Sequence, residues 1–428
     1  MTTSLDAREA EALELDARDR VGSARERFVL PKDDTTSGCA ELAYLAGDSL
    51  GPQPVDAAAD VRRELETWAT VAVEGHWTGS TSWGDFHLRL RGPMARVVGA
   101  LDDEVVVMNS LTVNLHLLLA SFYRPTAARH RIVIEDAAFP SDSYAVRSHA
   151  RFRGFNPDEA VVRLRPRDGE RLLRTEDVIA HLRRDAEQTA LVMLGGLNYH
   201  TGQLMEMAPI TAAARELGIT VGWDLAHAAG NVALSLHEWG PDFAAWCTYK
   251  YLNGGPGSPG AVFVHERHLG DERLHRLEGW WGTDPAVRFE MRPKLTPVAT
   301  ADAWAISNSS ILSMTPLLSS LAIFDEVTME VVRARSERLS AYLERLLVDE
   351  VPDAGLSIVT PQDPAQRGSM LSIAVPGDPG GVAARRRSAH GVLGDARPPD
   401  IVRLAPAPLF CTYHDCWRAA RALREVLP

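Results

Sequence analysis

The chain predicts an α/β protein: a large unit with a mostly parallel sheet between helices, followed by a smaller α+β C-terminal unit. Three observations carry this. Short apolar runs alternate with amphipathic helical stretches through the middle of the chain. Polar residues suited to chemistry stand where those runs end, as in open α/β sheets that bind ligands beyond their strand carboxyl ends. Past about residue 315 a long helical pattern leads to short strand candidates only.

The elements follow in order. Residues 6–27 alternate acidic and basic side chains with no long apolar stretch, which predicts a charged surface helix rather than a secretory signal. Pro31, Gly38, Gly47, Gly51 and Pro54 then punctuate irregular chain, so residues 1–55 read as an N-terminal arm that is part of the small domain. A helix is expected over 55–73. From about Asn109, strands are expected at 131–135, 190–194, 220–224, 243–248 and 260–265. A helix lies between two of them at 209–217, with Pro209 in its first turn and Gly218 just past its end. Strands alternating with helices imply parallel pairing through right-handed crossovers. Residues 316–347 read as one long helix connecting the large domain (56–315) to the small one (316–428), where strands are expected at 356–360, 370–375 and 401–404. There is no internal repeat and no low-complexity tract.

With 428 residues the chain is long enough to bury a cofactor within a large core. Its net charge of −12 disfavours a nucleic-acid surface, which needs clustered Lys and Arg. The densest basic run, Arg385-Arg386-Arg387, reads as a solvated loop. Cys39, Cys247, Cys411 and Cys416 show neither a disulfide framework nor metal-ligand spacing, so no metal is expected, and a reducing cytoplasm fits. No stretch approaches 18 apolar residues, so no membrane partner is expected.

The most informative chemistry lies in Val221-Gly222-Trp223-Asp224-Leu225-Ala226-His227 and Thr248-Tyr249-Lys250-Tyr251. A strand-end carboxylate, an imidazole and a lysine fall within one βαβ-sized stretch. Pyridoxal phosphate needs an amine to hold its aldehyde and an anion against its ring nitrogen, and Lys250 and Asp224 offer the two. Taken singly, Asp224 also reads as a helix cap and Lys250 as a solvated strand end.

Six ordered segments make the chain resemble the kynureninase family of fold type I pyridoxal phosphate enzymes: 109–116, 138–142, 224–237, 248–253, 279–282 and 306–308. The resemblance runs from about Gly75 to the C-terminus. It implies that Lys250 is the Schiff-base lysine, that Asp224 pairs with the ring nitrogen, that His227 supports that pair or the phenolic side, and that Phe139 stacks on the ring. It implies phosphate contacts from Leu111 and Thr112 at a helix start, Asp142 as a cofactor neighbour, and Tyr249 as a phosphate contact and proton relay. Trp280 and Asn308 resemble residues supplied across a homodimer interface. Arg403 matches the arginine that grips the substrate α-carboxylate. His76, Ser307 and Asn308 resemble the set facing the substrate's aromatic ring, which favours 3-hydroxykynurenine or another ring-substituted kynurenine.

The bland readings are core packing for Phe139, an N-cap for Thr112, a helix cap for Asp142 and a surface position for Arg403. Two departures from the family stand out. Gly195 occupies the place of a serine near the cofactor, and the segment of about 376–399 looks shortened and Arg-rich. The resemblance implies hydrolytic Cβ–Cγ cleavage of an aromatic amino acid to an anthranilate and L-alanine. Alternatives are another fold type I enzyme, a cysteine desulfurase or aminotransferase, or a catalytically idle pyridoxal phosphate-binding protein.

Overall fold

A computed structural model describes residues 3–32, 41–79, 82–350, 356–375 and 377–426; Gly38 and Cys39 of the arm lie outside them. Seven strands form the large sheet: β1 (Val105–Met108), β2 (Arg131–Glu135), β3 (Val161–Leu164), β4 (Thr189–Gly195), β5 (Thr220–Asp224), β6 (Phe243–Trp246) and β7 (Gly260–Val264). Their spatial order is β1-β7-β6-β5-β4-β2-β3. The five strands β6, β5, β4, β2 and β3 run parallel. Nearly every residue of β1, β2, β4, β5, β6 and β7 is buried, the near-continuous apolar signature of a sheet covered on both faces.

The expected parallel pairing fails at one strand. β7 is antiparallel to both β6 and β1. A parallel return needs a crossover of a dozen or more residues, usually helical; the 247–259 connection contains no helix and simply turns back. Strands β1 and β3, not foreseen from the sequence, complete the sheet's edges.

Four strands form the small sheet, in the order β8-β9-β11-β10: β8 (Ser357–Ile358), β9 (Leu371–Ala374), β10 (Asp395–Arg397) and β11 (Ile401–Leu404). All its pairs are antiparallel. The arm is tied to this end of the chain by a parallel ladder of Ala43–Tyr44 with Val392–Leu393.

Three helical expectations need correction. The charged N-terminal helix stops at Arg18 and continues as a 3-10 turn over Arg20–Arg27. The single connecting helix is two, Pro316–Val327 and Met329–Glu350, bent by 83° at Thr328, whose φ is +70°. The arginine-rich stretch is no loop: Pro379–His390 is a helix. The Asp378 carboxylate accepts the Gly381 N–H at 2.8 Å, which supplies the start signal, and Pro379 suits the first turn.

Among the described residues no single helix is long and apolar enough to cross a membrane. The bent pair passes that test by length and composition, but its apolar residues, Leu317, Leu321, Phe324, Leu339 and Leu343, belong to the buried core.

Candidate active site

Three adjacent strands of the large sheet end together. Asp224 closes β5, Gly195 closes β4 as its ladder partner, and Glu135 closes β2. Parallel strands expose their carboxyl ends on one side, and the cavity sits there. It measures about 360 Å³, within the range of small-molecule sites. Leu111, Thr112, Phe139, Asp142, Asp224, His227, Tyr249, Lys250 and Arg403 all line it.

Lys250 comes from the irregular loop after β6. That loop is held against the arm by a hydrogen bond from the Gly51 N–H to the Tyr249 carbonyl, 2.7 Å. A Cβ on Gly51 would stand 2.4 Å from the Lys250 carbonyl oxygen, so glycine alone allows this approach. The lysine Nζ lies 2.8 Å from His227 Nε2 and 5.9 Å from the centre of the Phe139 ring. Burial, then the Lys250 charge, hold the His227 imidazole well below its ordinary range. A neutral ring that accepts from Lys250 at Nε2 carries its proton on Nδ1, and Nδ1 is buried without a partner.

Asp224 uses Oδ1 to accept the Ala226 N–H at 2.8 Å. That bond closes a local turn, and residues 226–231 form turns with no helix after them, so Asp224 is not a helix cap; its carboxylate also meets Asp142. Asp142 lies in the first turn of the helix Pro140–Phe152, behind Phe139 at the N-cap, and its Oδ1 has no partner. It is not a cap. Burial raises both carboxyls, and the neighbouring Asp224 raises Asp142 well above its ordinary range. We place the shared proton on Asp142, which leaves Asp224 as the anion.

Leu111 and Thr112 open the helix Leu111–Phe122, with Ser110 at the N-cap. Thr112 is thus not the cap, and the free N–H groups of a 12-residue helix face the cavity as an anion site. Tyr249 stays protonated, because burial and then the Cys247 thiol raise its hydroxyl. Phe139 is 42% exposed, an open ring face rather than a core residue.

Arg403 is 1% exposed, which rules out the surface reading. Asp395, its ladder partner on β10, takes Nε at 2.6 Å and also Nη2. The Tyr199 carbonyl takes Nη1 at 2.8 Å, and Asp48 from the arm stands 2.9 Å from Nη2. Burial opposes the guanidinium charge, but Asp48 and Asp395 overcome it and raise its pKa.

Sequence reasoning missed Asp48, Glu135, Tyr199, Asp395 and Arg397, all at or beside this cavity. The signal for Asp48 was an acidic residue in a glycine-bracketed turn, Gly47 to Gly51. Gly195 also finds an account here. A Cβ there would meet Glu135 Oε1 at 2.9 Å, and the Gly195 N–H donates to both Glu135 oxygens.

Four of the expected residues do not line this chain's own cavity, and two of them, Trp280 and Asn308, are the pair expected from a second copy. His76 is half-buried against Trp77 and Trp83, while Ser307 and Asn308 are exposed. Trp280 is 46% exposed and packs on Phe289, which also contacts Trp77. His76 and Trp280 therefore share one aromatic surface cluster. Elsewhere Glu104, His237 and His265 lie close together, but Glu104 already accepts the Leu101 and Glu266 N–H groups, which accounts for its burial.

The kynureninase C-terminal domain family matches residues 332–423. A kynureninase from Salinispora tropica is 58% identical over 384 residues, covering 90% of each chain. One from Myxococcus xanthus is 49% identical over 415 residues, covering 97% of this chain and 96% of its own. Among solved structures, the Escherichia coli cysteine desulfurase CsdA superposes with a TM-score of 0.74 at 16% identity, covering 95% of this chain and 98% of its own. A mutant of C-DES, with glycine covalently linked to its pyridoxal phosphate, gives 0.74 at 17% identity, covering 91% of this chain and 97% of its own. These two likenesses bear on fold.

Proposed function

The chain belongs to the kynureninase family of pyridoxal phosphate hydrolases that act on carbon–carbon bonds, and on that premise we propose that it converts 3-hydroxykynurenine, or another ring-substituted kynurenine, to the corresponding anthranilate and L-alanine. The observation that carries the site assignment is the convergence of Lys250, His227, Asp224, Phe139 and Arg403 on one cavity.

Pyridoxal phosphate suits these residues: an orphaned His227 Nδ1, an unpartnered Asp142 oxygen and a helix N-terminus meet in that space. When bound, it supplies an electron sink for negative charge on the substrate carbons. Asp224 would offer its negative charge to the ring nitrogen, with the Asp142 proton held beside it. Leu111, Thr112 and Tyr249 would hold the phosphate, and Phe139 would stack on the ring. Lys250 Nζ removes the substrate Cα proton, and neutral His227 keeps that amine in place. Arg403 fixes the α-carboxylate. Water adds to the substrate γ-carbonyl, the Cβ–Cγ bond breaks, and Tyr249 relays a proton to the alanine fragment.

The same reading divides the chain into an arm (1–55) that joins the small domain (316–428) and a large cofactor-binding domain (56–315). It makes the working form a cytoplasmic homodimer, in which a second copy delivers Trp280, Asn308, Ser307 and His76 to the ring end of the substrate. Support comes from the exposure of Trp77, Trp280, Phe289 and Met291 around these residues, a patch suited to burial against another protein surface.

The competing reading, a desulfurase, needs a mobile, reactive cysteine. Among the described residues Cys247, Cys411 and Cys416 are all buried, and burial raises each thiol. The deciding experiment compares kcat/KM for kynurenine and its ring-hydroxylated forms; a wide margin for plain kynurenine overturns the ring-substituent assignment.

A further inference from the structure

The substrate arginine is unusually committed. Guanidinium carries five N–H donors, and Arg403 spends three of them, on Asp395 through Nε and Nη2 and on the Tyr199 carbonyl through Nη1, while Nη2 also stands in an ion pair with Asp48; one N–H on each terminal nitrogen is left for a substrate carboxylate. Arg397, which also lines the cavity, leans on the same Asp395 at 2.9 Å. Arg403 and Arg397 thus balance Asp48 and Asp395 before any substrate arrives, and Lys250, the other cation near Asp48, is the one assigned to the cofactor. An incoming carboxylate brings a second negative charge against the buried Arg403–Asp48 pair, and an uncompensated buried charge is costly.

Asp48 is the member best placed to give way. It is 1% exposed and lines the cavity, yet neither of its oxygens accepts a hydrogen bond from any described residue. Asp395, by contrast, is fixed by its bidentate pairing and by the ladder register. We propose that Asp48 takes up one proton when the substrate carboxylate reaches Arg403, and as the neutral acid donates a hydrogen bond to that carboxylate. This rests on the assignment of Arg403 as the carboxylate grip.

The groups facing Asp48 fit this. Arg403 and Arg397 favour its charge and Asp395 opposes it; Lys250 lies on the loop side, and Tyr251 and Tyr44 are near enough for Asp48 to raise their hydroxyls. Burial already raises the Asp48 carboxyl, and a second anion raises it further. Affinity for the carboxylate therefore falls as pH rises, and Asp48 sets how steeply.

The test uses holoenzyme and 4-oxo-4-phenylbutanoate, which has the aryl ketone and the carboxylate but no amine. Calorimetric titration in two buffers of different ionisation enthalpy counts protons directly. The expected result is uptake of about one proton per site in the wild type above neutral pH; no uptake, or release, overturns the proposal without any variant. Asp48→Asn removes the charge and keeps the shape. It is expected to bind the analogue about tenfold tighter above pH 8, with the proton uptake lost; unchanged or weaker binding refutes the role. Asp395→Asn, which loosens the arginine, is expected to weaken binding, unlike Asp48→Asn. If Arg403→Lys leaves analogue affinity unchanged, the arginine assignment fails first, and that outcome is separable from a failure at Asp48.

Discussion

Lys250 Nζ stands 2.8 Å from Nε2 of His227, although the two residues reach that contact from different strand ends. His227 follows β5 and Lys250 follows β6, and the parallel pairing of Trp223 with Ala244 and Asp224 with Ala245 brings the two ends side by side. A neutral imidazole accepts from the amine there.

Lys250→Ala is expected to abolish turnover and to remove the absorbance band of the lysine-bound cofactor, while the far-UV dichroism stays that of the wild type. A variant that keeps the band and turns over shows that another amine holds the cofactor.

The proton placement between Asp142 and Asp224 separates their substitutions. Asp142→Asn imitates a group that is already neutral and is expected to retain kcat within about tenfold, whereas Asp224→Asn removes the anion facing the ring nitrogen and costs roughly a thousandfold or more. Equal losses measured in steady-state kinetics contradict the placement.

Arg403→Lys trades a planar fork for a point charge among two carboxylates. The expected outcome is a rise in KM of roughly a hundredfold with a much smaller effect on kcat, checked with a saturating and a limiting substrate series.

Burial, opposed by the Gly195 N–H, pushes the Glu135 carboxyl up from 4.5 to about 7. The folded chain therefore keeps a proton that the unfolded chain releases. The stabilising contribution is full below about pH 4.5 and is lost as pH rises through about 7. Glu135→Gln in the cofactor-free protein is expected to match wild-type stability near pH 5 and to exceed it by up to roughly 3 kcal/mol near pH 8. Denaturant unfolding at the two pH values decides; a constant offset contradicts the shift.

Thr328 is exposed and holds φ at +70° between two helices, a conformation costly for a β-branched residue. Thr328→Gly is expected to raise unfolding free energy by roughly 1 kcal/mol with no change in KM, read from a denaturant midpoint.

What the sequence alone determined was the alternation of strands and helices and the polar residues at strand ends. Strand bounds at 131–135, 220–224 and 401–404 coincide with the observed elements, because apolar runs closed by Gly or charged residues leave little freedom. Asp224, His227 and Lys250 were legible for the same reason: each lies within a few residues of a strand that ends at the cavity. The helix break at Thr328 was not legible, since Pro316 to Leu347 carries one unbroken helical pattern and the bend depends on packing of both helices into one core.

Tertiary structure alone decided which charges meet. Asp48 lies in an irregular arm more than three hundred residues before Arg403, and no local pattern couples them; they pair because the arm runs against the small sheet and the lysine loop at Gly51. The turning back of β7 belongs to the same class. Local sequence sets the period and ends of each element through backbone sterics and side-chain burial, whereas the position of a buried charge follows from where folding finds it a partner.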